Sequence, residues 1–288
     1  MAVPSNGSPY HPLAAPPTRQ EPGGAGGVGT GSPTLTQRTV HGATRQIAVV
    51  AAAAFNLVMN GLAGAGVLFG TQTGAVSDAY PTPITPAGWA FSVWSVIFLG
   101  VAVFAVWQGT PARRGSRYDA VGLPFVAANV LNGLWQIPWL TGRFGIAAVV
   151  IVGILGSLVW LYLRLDRMAL RGSERWALGV PTALFLAWLS VAAPLNLTIW
   201  LQSAGWTSDA AVWPVAVVLA VSAVGAWLLA RTGDVAVALV LLWAFAAIGA
   251  GGAGGAVGLA LGLGALAVVG AVAVGARRRS PWPTAHAA

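Results

Sequence analysis

Apolar residues in this chain neither alternate with polar ones nor form narrow amphipathic stripes; they come in long unbroken runs. A helix needs about 20 mostly apolar residues to cross the roughly 30 Å hydrocarbon core of a bilayer. Runs of that kind lie near 46–70, 89–109, 123–141, 145–163, 176–201, 211–230, 235–251 and 255–276. Continuous apolarity predicts helical spans, because the strands of a membrane barrel alternate between lipid and lumen. Only the stretch Gly249 to Gly255 separates the last two runs, and a single re-entrant excursion competes with two spans there. Residues 1–44 are rich in Pro, Gly, Ser and Thr and read as a disordered cytoplasmic tail. The first apolar run starts too far from Met1 for a cleaved signal peptide, so none is expected. Residues 280–288 read as a second short cytoplasmic tail.

Composition narrows the class. The 288 residues are 57% hydrophobic and 8% charged, with a mean hydropathy of +0.75. A soluble domain carries about a quarter charged residues, so a soluble enzyme is excluded. The absence of cysteine removes disulfide scaffolds, thiol nucleophiles, Cys-ligated zinc and iron–sulfur clusters. All 15 basic residues are arginine. With the N-terminus inside, every arginine except Arg143 falls on the inner side of an eight-helix topology. That agrees with the enrichment of Lys and Arg in cytoplasmic loops. The expectation is a multi-pass protein of the plasma (inner) membrane with both termini cytoplasmic. Its basic charge then meets the lipid bilayer, and no nucleic-acid partner is expected.

No Asp, Glu, Arg or His falls within the expected spans; His11, His41 and His286 lie in the tails. Proton pumps and ion-coupled carriers place such groups at mid-membrane. Acid–base catalysis and a histidine-ligated haem need them too. No catalytic residue, metal ligand or resident cofactor is therefore expected.

Amides and indoles remain. Fourteen tryptophans are present. Trp107, Trp206, Trp213 and Trp282 fit an interfacial belt. Trp94, Trp135, Trp188 and Trp243 sit within spans, where an indole N–H needs a partner. In the third span Asn129, Asn132 and Gln136 share one helical face bordered by Trp135 and Trp139. Interhelical bonding and a ligand site explain that face equally well. In the fifth span Trp188, Ala192, Asn196 and Trp200 recur every fourth residue, leaving a notch at the alanine. The proline-rich connector from Asp78 to Trp89 is either a stiff link or a lid over the bundle mouth. Gly66/Gly70 and Gly254/Gly258/Gly262 suit close helix approach, and a homodimer through them is a further expectation.

Three stretches, GWAFSVWSVIFLG, NVLNGLWQIPW and FLAWLSVAAPLNLTIW, resemble the TspO/MBR family of tryptophan-rich sensory proteins. The resemblance covers about residues 46–201 and implies a five-helix transmembrane bundle that binds porphyrins and other flat hydrophobic molecules. It places Trp94, Asn132, Trp135, Trp188, Ala192 and Asn196 at the pocket; Asn129 joins them from the amide stripe. The chain departs from the family at Leu184, where many members have a proline, and at Leu197, which replaces a tyrosine with no arginine following Trp200, so that cholesterol recognition is not implied. The last three spans have no counterpart in the five-helix pattern.

The expected fold is thus an all-α integral membrane protein. A TspO-like domain spans 45–203, and a three-helix C-terminal extension spans 204–279. The expected function is binding or sensing of a porphyrin-like or other hydrophobic small molecule. Uncoupled transport of such a molecule is the alternative, and light- or oxygen-dependent porphyrin degradation is the third reading.

Overall fold

The computed structural model describes Met1, residues 35–206 and residues 211–279. The expected tail segments 2–34 and 280–288 lie outside the described residues. Each of the eight apolar runs is a helix. They are α1 (Leu35–Gly64), α3 (Val93–Gly109), α4 (Asp119–Leu140), α5 (Phe144–Arg167), α6 (Val180–Ser203), α7 (Val212–Thr232), α8 (Val235–Ala250) and α9 (Gly255–Arg279), with a short α2 (Thr73–Asp78) in the connector after α1. No strand occurs among the described residues. Seven of the eight are long and apolar enough to cross a membrane; α8 is the shorter one, at 16 residues.

Two boundaries differ from the sequence reading. Helix α1 begins at Leu35, inside the segment expected to be disordered. Pro33 is the last proline before it. Once a helix is nucleated in the membrane, adding turns upstream costs little until a proline removes a donor. At its other end α1 stops at Gly64, short of the expected 70. There Gly66, Phe69 and Gly70 all take positive φ, which ends the helix and turns the chain back over the bundle.

Helices α1, α3, α6, α5 and α4 close a ring, each packing on the next and α4 returning to α1. Apolar burial does not drive helix association in lipid; packing and interhelical hydrogen bonds do. Here α1 and α4 are joined by buried amides, described below. At the arginine-rich end, the Gln46 amide donates to the carbonyls of Gln108 (2.8 Å) and Thr110 (2.6 Å), meeting acceptors left open where α3 ends. Arg45 pairs with Asp119 at the start of α4 and donates to the Arg113 carbonyl at 2.6 Å. Helix α6 is entered through one wide π turn, Arg175–Gly179, next to Pro181, which has no amide hydrogen to give.

The extension packs through α8 on α6, with α7 and α9 against each other. Gly264 meets Ser222, and Gly275 meets Leu229 and Gly233. Contacts therefore advance together along α7 and α9, and the two helices run parallel with α8 returning between them. Their approach at Gly275 is backbone to backbone, where a Cβ would collide. Helix α8 starts beside α5, with Tyr162 donating to Asp234 at 3.2 Å, and ends beside the connector between α2 and α3, where the Ala87 N–H donates to the Ala247 carbonyl at 2.9 Å. It thus runs from one end of the bundle to the other despite its length. Every described arginine except Arg143 lies at the end where α5 finishes and α8 begins.

Candidate functional site

The amide face of α4 splits in two. Asn56 on α1 is fully buried and accepts three hydrogen bonds from two amides: Asn132 at 2.8 Å and Asn60 at 2.7 Å onto its side-chain oxygen, and Asn60 again onto its carbonyl at 2.9 Å. Its own amide donates to Asn129 at 2.8 Å, and Asn129 donates to the Phe125 carbonyl at 2.9 Å. Gln136 donates to Asn60 at 2.6 Å and accepts from the Thr73 hydroxyl at 2.8 Å. Asn129 is 1% exposed, bonded on both sides, and does not line the cavity. Asn56 and Asn60, one turn apart on the first span, are the partners that sequence reasoning missed. Two amides in an otherwise apolar run were the available signal.

Beside this network α2, α3, α4, α5 and α6 enclose a cavity of about 40 Å³. Its wall includes Trp94, Asn132, Trp135, Trp188, Ala192 and Asn196. Six of the seven expected site residues therefore meet in one place. The connector contributes Thr73, Ser77, Pro86 and Phe91, whose part was not read from the sequence beyond the expectation of a lid. Trp200, the last member of the α6 stripe, packs instead against Gly145 and is half-exposed.

Aromatic rings form the wall. Trp188 meets the edges of Trp94 (6.3 Å) and Phe91 (6.2 Å), and Trp94 stacks on Phe98 at 5.2 Å. Opposite, Trp135 stacks on Trp139 at 5.0 Å. Three indole nitrogens near the cavity behave differently. The Trp135 N–H donates to the Asn196 side-chain oxygen at 3.1 Å, and the Trp139 N–H to the Thr73 carbonyl at 3.1 Å. The Trp188 N–H has no partner although Trp188 is only 3% exposed, and the Ser77 hydroxyl, 1% exposed, has none either. A buried polar group without a partner costs about 1–3 kcal/mol. Both belong to residues of the cavity wall, so the two unmet groups lie in the shell around the cavity. No ionisable side chain lines it.

Space of 40 Å³ holds a few water molecules, at about 10–15 Å³ of such volume each. A groove of about 420 Å³ adjoins it between α1, α2 and α3 and shares Thr73, Phe91, Trp94 and Trp135 with it. The aromatic wall is thus common to a closed chamber and an open one. Among the described residues no group of three or more His, Cys, Asp or Glu is placed to hold a metal ion.

An all-helical bundle of membrane-spanning helices, with an uncharged chamber of indoles and amides beneath the connector, defines a multi-pass membrane protein by architecture. The family described as TSPO-like protein matches residues 46–276, and the chain belongs to that family. The match runs past the five-helix ring and through α7, α8 and most of α9, so the extension lies inside the matched region. No curated protein and no solved structure gives a significant match.

Proposed function

We propose that this protein binds a flat, largely apolar molecule of the porphyrin kind in the chamber between α3, α4 and α6. The observation that carries this reading is the pairing of an aromatic wall with the unpartnered Trp188 N–H and Ser77 hydroxyl. Rings offer stacking faces, and the two unmet groups ask for an acceptor on the occupant. The chamber as it stands is smaller than the several hundred Å³ that such ligands occupy. Binding therefore opens it toward the adjoining groove, with α2 moving away from α4. The protein sits in the plasma membrane with both termini on the cytoplasmic side, where the arginine-rich end meets anionic lipid.

Binding is favoured over passage because the cleft of about 620 Å³ at the arginine-rich end shares no lining residue with the chamber. Catalysis is disfavoured because indole, hydroxyl and amide groups alone face the ligand. Titration of the purified protein with protoporphyrin, read by tryptophan quenching, tests the reading. Saturable micromolar binding is expected, weakened about tenfold or more by Trp94→Phe, Asn132→Ala or Trp188→Phe. No saturable quenching in the wild type would sink it.

A further inference from the structure

The connector is backed by a helix on one side and borders an open groove on the other. Toward the extension, α8 presents Trp243, Ala247 and Gly251, spaced four apart and so on one face. The Trp243 N–H donates to the Ala90 carbonyl at 3.2 Å, and its ring meets the edge of Trp89 at 4.6 Å. Ala247 accepts from the Ala87 N–H at 2.9 Å. At Gly251 the approach is so close that a Cβ would stand 2.5 Å from the Thr85 carbonyl oxygen. Pro86 and Phe91, which lie among and next to these contacts, both line the chamber. On the opposite side α2 is tied to α4 by the Trp139–Thr73 and Thr73–Gln136 bonds, and the open groove lies beside it.

Helix α8 is itself fixed at its far end. Asp234 caps it by accepting from the Ala236 N–H at 3.1 Å and holds the Tyr162 hydroxyl of α5 at 3.2 Å. The helix packs against α6 and α9, and Ala244 and Ile248 are buried. A helix anchored on three sides makes a rigid backing for whatever docks on its last turn.

We propose that this is the function of the α7–α9 extension: α8 is a fixed stop for the Pro86–Phe91 half of the chamber roof, so that ligand reaches the chamber from the α2 side, through the groove between α1 and α3. The routing of ligand rests on the binding reading above; the backing of the roof by α8 does not.

Two measurements test it, and they separate its failure from failure of the binding reading. The first is amide hydrogen exchange on ligand-free protein in detergent. Residues 86–91 exchange more slowly than 73–78, and Trp243→Ala speeds exchange at 86–91 by about three- to tenfold, the worth of one ordinary hydrogen bond, with α2 unchanged. Equal exchange in the two segments, or no response to Trp243→Ala, overturns the stop. The second measurement exploits the absence of native cysteine. Ala87→Cys with Ala247→Cys ties the roof to α8 by a disulfide. Protoporphyrin then associates at the same rate whether the pair is oxidised or reduced. Association blocked by oxidation places the route on the α8 side and overturns the inference. Should wild type bind no protoporphyrin, the binding reading fails, and hydrogen exchange alone decides the stop. Should Trp243→Ala loosen the whole bundle, Gly251→Ala, which pushes on the connector at Thr85 and Ala87, is read by the same exchange comparison.

Discussion

Trp135 and Trp188 face one chamber, yet their nitrogens stand in opposite situations. Trp135 holds Asn196, while the Trp188 N–H is buried and unmet. Replacing Trp135 by Phe removes a bond and orphans an acceptor, whereas Trp188→Phe removes only a donor that had no partner. Unfolding of the ligand-free protein in detergent should show a loss of about 1 kcal/mol or more for Trp135→Phe and a distinctly smaller one for Trp188→Phe. Equal losses would mean that Trp188 is bonded within the protein and that the chamber presents no unmet donor. The residues of the wall were legible in the sequence because the helical period lines them up. Their roles were less so: Asn129 and Asn132 lie on the same face, but only the helix opposite decides which is spent on packing. That helix is α1, whose Asn56 bonds both, while Asn132 alone also lines the chamber.

Between elements, the firmest polar link outside the apolar spans joins the start of α4 to the α5–α6 connector. Arg117 grips both oxygens of Glu174, at 3.1 and 2.9 Å, and the Tyr118 hydroxyl adds a bond of 2.7 Å. The hydrogen bonds from Arg117 are the main reason that the Glu174 carboxyl is held below its ordinary value; partial burial opposes them and Tyr118 adds to them. A lowered carboxylate stabilises the fold in full above its ordinary range, and that contribution disappears as pH falls through the lowered value. Thermal unfolding followed downward from neutral pH should therefore show a falling midpoint at acid pH, with a shallower fall in Glu174→Gln. Identical pH profiles would show the link to be energetically idle, as exposed pairs often are. Such links join residues far apart in sequence and carry no local signature. The same holds for α2, whose six residues are too few for a periodic signal. The eight long runs, by contrast, announced themselves through length alone.

At the scale of the molecule, the sharpest question is whether α8 crosses the bilayer. Its 16 residues extend about 24 Å, less than the roughly 30 Å hydrocarbon core. Yet its two ends lie at opposite ends of the bundle, one by Tyr162 of α5 and the other by Ala87 of the outer connector. The parallel pairing of α7 with α9 also requires the chain to return between them. Bilayers thin locally around a short span at modest cost per ångström, and α8 is sheltered by α6 and α9 on its buried face. The arginine distribution gives the same answer independently, since Arg231 and Arg277 share a side only if α8 crosses. Single cysteines in the cysteine-free chain settle it. In intact cells a membrane-impermeant thiol reagent should label Thr141→Cys, Ser203→Cys and Gly254→Cys. It should reach Ser116→Cys, Ser173→Cys and Val235→Cys only after the membrane is opened. The decisive pair is Gly254 and Val235: labelling of both from the same side would leave α8 re-entrant, place α7 and α9 antiparallel across the membrane, and contradict the contacts at Gly264 and Gly275.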